Sequence, residues 1–181
     1  MANYAIFAAD ADINYYEGAP EVFFCSSCGS YTNSRQYFPN DLKVKSLKND
    51  FSYSYDGQLI ISTKAKVFLE ENSSTKLEFH RVNSNPEAFV IEAPDKAVFD
   101  SEKRKTRLSG ECSKCGKFES IVGSTPPFLK NVNEIEQMGM YFTDIKFGSG
   151  KEKSPLIIVG EALGKLLKKT FKEIDLEEVR G

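Results

Sequence analysis

Every cysteine in the chain belongs to one of two copies of a single short motif, Cys25-Ser26-Ser27-Cys28-Gly29 and Cys112-Ser113-Lys114-Cys115-Gly116. A Cys-x-x-Cys turn carries two sulfurs to one side of a tight bend. The glycine after it tolerates the positive φ that lets backbone amides face those sulfurs. Two such turns complete a tetrahedron, so the pattern implies one structural zinc ion bound by Cys25, Cys28, Cys112 and Cys115. Four thiolates leave no open coordination position, so a site of this kind gives no reason to expect metal catalysis. A thioredoxin-like redox motif needs only one Cys-x-x-Cys, at the start of a helix that lowers the thiol pKa, and neither copy is followed by such a signal. Two disulfides would suit a secreted chain, but the opening Met-Ala-Asn-Tyr-Ala-Ile-Phe-Ala-Ala-Asp lacks a basic start and meets an acid before any long apolar run. The expectation is a protein of the reducing cytosol.

Between Cys28 and Cys112 lie 83 residues, against roughly 15 to 20 in a compact zinc ribbon, so something folded must sit between the knuckles. An internal repeat accounts for it. Laid over each other without a gap, residues 59–82 and 156–179 share the opening Leu-Ile-Ile, the alanines Ala65 and Ala162, the leucines Leu69 and Leu166 and the closing valine. Each reads as a short apolar strand, an amphipathic helix of about three turns and an alternating strand. The inward strand positions are Leu77, Phe79 and Val82 in one, and Ile174, Leu176 and Val179 in the other. Ser62 is placed to cap the first helix and Asn72-Ser73-Ser74 to end it. The core stripes are Ala65, Phe68 and Leu69 in one helix, and Ala162, Leu163, Leu166 and Leu167 in the other. Tyr4 to Asp10 also resembles Phe89 to Asp95, so the order strand, knuckle, strand-helix-strand occurs twice. On this reading residues 1–84, with the knuckle at 25–28, and 85–181, with the knuckle at 112–115, are two pseudo-repeats of one compact folding unit. Asn83-Ser84-Asn85-Pro86 is the linker, and a shared four-cysteine site resembling a zinc ribbon joins the halves. The fold class expected is α+β.

A chain of 181 residues, 40% apolar with 14 Phe and 8 Tyr, can bury a sizeable core. Its apolar runs are too short to span a membrane. The net charge of −2 hides an asymmetry: residues 1–34 carry Asp10, Asp12, Glu17 and Glu21 with no Lys or Arg, while Lys103, Arg104, Lys105 and Arg107 precede the second knuckle. The basic run could hold phosphates, yet a pI near 5.6 gives poor long-range attraction for nucleic acid. An acidic segment bearing Tyr15, Tyr16, Phe23 and Phe24 suits capture of a basic protein, carboxylates steering and tyrosines anchoring, which makes Asp10, Asp12, Tyr15, Tyr16 and Glu17 the candidate partner-binding residues. His80, the only histidine, is expected on an exposed strand face. Ser149-Gly150-Lys151 reads as a plain loop without the helix start that a phosphate cradle needs. An enzyme is the class these residues support least.

The two Cys-x-x-Cys-Gly motifs, with Leu-Ile-Ile strands leading into amphipathic helices and a closing alternating strand, resemble the bacterial double-CXXCG family. That family includes immunity proteins encoded beside secreted polymorphic toxins, which protect kin cells by binding the toxin domain. The resemblance implies a cytoplasmic bacterial protein, with Cys25, Cys28, Cys112 and Cys115 as zinc ligands and a cognate toxin domain as partner. It covers the layout of most of the chain, and the two knuckles are its specific part. The alternative function is a zinc-ribbon module acting on nucleic acid or in a regulatory complex.

Overall fold

A computed structural model describes residues 2–32, 37–39, 42, 44 and 47–181. Along the chain come β1 (Tyr4–Phe7), a 3-10 turn (Glu21–Phe23), β2 (Phe51–Tyr53), β3 (Leu59–Ser62), α1 (Thr63–Asn72), β4 (Glu78–Ser84), β5 (Glu87–Glu92) and β6 (Lys96–Ala97). There follow the short α2 (Ser101–Arg104), β7 (Arg107–Glu111), β8 (Phe118–Val122), a 3-10 turn (Val132–Glu134), β9 (Met140–Ser149), β10 (Glu152–Val159), α3 (Glu161–Thr170) and β11 (Asp175–Glu178). The fold is α+β with two sheets. One has the order β2-β3-β5-β4; the other runs β11-β1-β10-β9-β8-β7, with β6 beside β9. Among the described residues, every pairing between these strands is antiparallel except β6 with β9.

Four strands of the larger sheet repeat the smaller one in order and register. In β2-β3-β5-β4, Phe51 faces Ile61, Ile60 faces Val90 and Phe79 faces Ile91. In β9-β10-β1-β11, Met140 faces Val159, Ile158 faces Ala5 and Leu176 faces Ile6. In each set a strand-helix-strand unit leaves a slot between two parallel strands, and the slot is filled by a strand from outside that unit. The carboxy-terminal unit takes β1, whereas the amino-terminal unit takes β5. Beyond β1 the backbone crosses to the other sheet, where Asp10 bridges Tyr53 in parallel; beyond β5 it crosses the opposite way, where Lys96 pairs with Phe142 in parallel.

One apolar cluster joins both sheets and both long helices through Ile61, Leu69, Met140, Val159 and Leu167, all 0% exposed. The outer face of each sheet has its own cluster, around Ile158 and Phe99 on one and Ile60 and Val90 on the other. Ser62 caps α1 as expected, accepting from the Ala65 backbone N–H at 3.2 Å. The gapless alignment of the repeats slips by one residue across strand and helix. The buried pairs are Ala65 with Leu163 and Leu69 with Leu167, while Leu166 is exposed and not a stripe residue. Gly164 takes the buried place beside Leu163. A Cβ there would lie 2.9 Å from the Tyr4 ring, so the helix rests directly on β1. Val82 lies on the opposite face of its sheet from Phe79, and Val179 on the opposite face from Leu176, because three steps along an alternating strand change faces, so neither valine shares the inward side expected of it. Asn83 to Pro86, expected as the linker between the repeats, lies in the β4–β5 hairpin: Asn83 and Ser84 end β4, and the chain returns at once into β5 within one sheet.

Candidate metal centre

The two knuckles are built alike because the same short-range bonds close them. Cys25 N–H donates to Ser30 O at 2.8 Å and Gly29 N–H to Cys25 O at 2.8 Å. In the second knuckle Cys112 N–H donates to Lys117 O at 2.9 Å and Gly116 N–H to Cys112 O at 2.7 Å. Gly29 and Gly116 hold φ of +70° and +67°, the left-handed conformation for which the motif needs glycine. The knuckles face each other, Cys25 Sγ lying 3.9 Å from Cys112 Sγ and Cys28 Sγ 3.6 Å from Cys115 Sγ. All four sulfurs lie within 4.8 Å of one another. A tetrahedron with metal–sulfur bonds of about 2.3 Å has edges of about 3.8 Å, so the cluster has the dimensions of a four-thiolate site. These separations are well beyond a disulfide bond of about 2.05 Å, and all four cysteines are free.

Protonation within the cluster is unequal. Ser30, through its hydroxyl and its backbone N–H, holds the Cys28 thiol down to about 6. Backbone N–H groups of Cys115 and Lys114 pull Cys112 down too. At Cys115 the Lys117 backbone N–H works in the same direction, but burial and the facing thiols outweigh it and push this group up to about 11. Ionising one thiol therefore opposes the next. A bound divalent cation relieves that opposition, which is why the donor set fits a metal better than four independent thiols.

The supports of the two knuckles differ. The second sits in the β7–β8 hairpin, paired from Arg107 with Val122 to Glu111 with Phe118. The first has one bridge at the equivalent place, Phe24 with Tyr31, and is packed by rings instead: Tyr31 lies 5.3 Å from Tyr16, 6.0 Å from Phe23 and 5.9 Å from Phe24. Lys114 Nζ reaches across to Ser26 Oγ at 2.5 Å. The tip expected as a plain loop, Ser149-Gly150-Lys151, turns the β9–β10 hairpin against this site. Lys151 Cε lies 3.3 Å from where a Cβ on Gly29 would be. Lys153 Nζ donates to Ser30 Oγ at 3.0 Å and to Phe118 O, bracing both knuckles from β10. No local signal marks Lys153, because its partners are 123 and 35 residues away.

The candidate partner residues separate by burial. Asp10, Asp12 and Glu17 are exposed. Tyr15 is 0% exposed; its hydroxyl donates to Tyr37 O at 2.7 Å, and its backbone N–H and that of Tyr16 donate to the buried Asp56 carboxylate at 2.9 and 2.7 Å. Tyr15 is thus a core residue and unavailable as a surface anchor. Tyr16 is half-buried, its hydroxyl accepting from Gln58 Nε2 at 3.0 Å. The exposed tyrosine of the segment's neighbourhood is Tyr55, 51% exposed, whose hydroxyl donates to Asp12 Oδ1 at 2.6 Å. Of the basic run, Lys103 donates to Gly181 O at 2.5 Å and Arg104 to Thr125 O, which draws two of its four cations into the protein's own contacts. His80 is half-buried rather than exposed, stacked 3.8 Å from the Phe38 ring and 3.2 Å from Glu92. With Glu78 and Glu92 it forms a second cluster of possible ligands, but Lys76 already pairs with Glu78 at 2.7 Å.

Among the described residues no helix is long and apolar enough to cross a membrane. Compared with models of protein families and with curated proteins, the chain gives no match.

Proposed function

We propose that Cys25, Cys28, Cys112 and Cys115 hold one zinc ion as a structural clamp between two copies of one ancestral unit, and that the chain is a bacterial immunity protein that binds and neutralises a cognate toxin domain without catalysis. The observation that carries this reading is the meeting of both knuckles in one four-sulfur cluster, since the paired knuckles are also what resembles the double-CXXCG family. Soft thiolates in a tetrahedral set favour zinc, and four of them leave no position for substrate. The matched strand order of the two sheets supports duplication. Exposed acids in the first residues of the chain support capture of a basic partner, and Tyr55 between Asp10 and Asp12 takes the anchoring role expected of Tyr15.

Binding kinetics to the toxin domain encoded by the neighbouring gene test the reading. Asp12 has φ of +52°, a left-handed conformation that favours asparagine, so the steering variant combines Asp10→Lys and Glu17→Lys with Asp12→Asn. It should associate more slowly and with weaker salt dependence. Tyr55→Ala should dissociate faster, by an amount worth about 2 kcal/mol. Absence of binding by the unaltered protein sinks the immunity reading, and elemental analysis without zinc sinks the metal assignment.

A further inference from the structure

Beside the knuckles, where residues of both sheets converge, lies a cleft of about 580 Å³, within the range of roughly 300 to 1,000 Å³ usual for small-molecule sites. Its wall carries five lysines, Lys96, Lys117, Lys146, Lys151 and Lys153, but only two carboxylates, Glu92 and Asp144. This excess stands out in a chain whose net charge is −2. Both carboxylates have other partners: Glu92 lies 3.2 Å from His80, and Asp144 accepts from the Phe99 backbone N–H at 2.9 Å. Among the described residues none of the five lysines forms an ion pair.

The lysines divide by what they face. Lys151 and Lys153 contact the first knuckle, and Lys117 belongs to the second. Lys96 and Lys146 bond to neither knuckle, and Lys96 Nζ donates one of its hydrogens to Ala93 O at 2.7 Å. Lys96 Nζ lies 5.5 Å from the Phe142 ring centre and Lys146 Nζ 5.6 Å from that of Tyr31. An ammonium over a ring keeps its charge available on the open side. Desolvation holds both below the usual lysine range, helped at Lys146 by the nearby Lys117 and Lys96, and it outweighs the opposing pull of Glu92 on both and of Asp95 on Lys96. Two cations in a lysine-rich cleft, neither of them ion-paired and each beside an aromatic face, favour a ligand that brings negative charge and a flat apolar surface together.

We propose that this cleft binds a small anion bearing a planar aromatic ring, its anionic group held by Lys96 and Lys146 and its ring packed against Phe142 and Tyr31. The site draws on both repeats, so a bound ligand would link them on the face next to the metal.

The probe is anilinonaphthalene sulfonate, an aromatic anion whose fluorescence rises on binding, titrated into the full-length, zinc-loaded protein. N-phenyl-1-naphthylamine, with the same rings and no sulfonate, serves as the control. The expected result is saturable one-to-one binding of the sulfonate, adenosine monophosphate displacing it, and at least tenfold weaker binding of the control. Lys96→Met with Lys146→Met should weaken sulfonate binding by about tenfold or more, equivalent to the loss of about 1.4 kcal/mol. Lys168→Gln, on α3, should leave it unchanged. Equal binding of both probes, or unaltered sulfonate affinity in the double variant, overturns the proposal. If the double variant does not fold, Lys146→Arg, which keeps the charge, should retain binding, and its loss there overturns the proposal equally.

Discussion

The two knuckles have the same internal bonds and the same glycine conformation, yet they are held by different means. The second is the end of a hairpin, so backbone pairing on both sides places Cys112 and Cys115 before any metal arrives. The first is the end of a loop with one bridge, placed by stacked rings around Tyr31 and by Lys153 reaching from β10. Backbone ladders are local and cooperative, whereas ring packing and a long lysine reach depend on the whole fold being formed. One knuckle is therefore preorganised and the other is assembled, and a shared metal would act mainly to fix the assembled one.

Metal removal should show this most strongly. After chelation, amide hydrogen exchange should accelerate far more at Cys25, Gly29 and Thr32 than at Cys112, Gly116 and Leu108; equal acceleration would break the distinction. Cys25→Ser and Cys112→Ser should each abolish tight zinc binding, the second leaving the β7–β8 hairpin protected. Next in size is the counterpart pair Tyr31→Ala and Phe118→Ala, which occupy the same place after each knuckle. We expect about 3 kcal/mol from the first and about 1 kcal/mol from the second in denaturant unfolding, because only Tyr31 is packed among several rings. Lys153→Met removes bonds to both sides and should cost about 1 to 2 kcal/mol, with zinc affinity reduced. The smallest effect belongs to Lys114→Ala. Its contact with Ser26 is exposed, so a change within about 0.5 kcal/mol is expected, and a larger one would mean the knuckles are locked by side chains after all.

The cysteine cluster was legible in the sequence because a Cys-x-x-Cys-Gly turn carries its own geometry. So was the Ser62 cap, a local bond across three residues. What failed was long-range. The identity of Leu69 with Leu166 drew the alignment one residue off, since matching letters ignore helical phase, and burial pairs Leu69 with Leu167. Tyr15 was read with the acids around it, but Ile13 and Tyr15 alternate with exposed Asn14 and turn inward, their backbone closed by Asp56 from about 40 residues on. The Lys153 contacts and the lysine-walled cleft exist only after the two sheets have met, and no spacing in the chain announces them.

The exchange of β1 and β5 bears on the order in which a growing chain can complete itself. On a ribosome, β2, β3, α1, β4 and β5 emerge in succession, so the smaller sheet has every strand it needs before β9 is made. The segment Tyr-Ala-Ile-Phe is synthesised before all of these and pairs with β10 and β11, which are synthesised after them. Until they emerge it remains an open strand with both edges free, an exposure that favours mispairing and calls for shelter by chaperones. The strand β1 is thus made before the smaller sheet and seated after it.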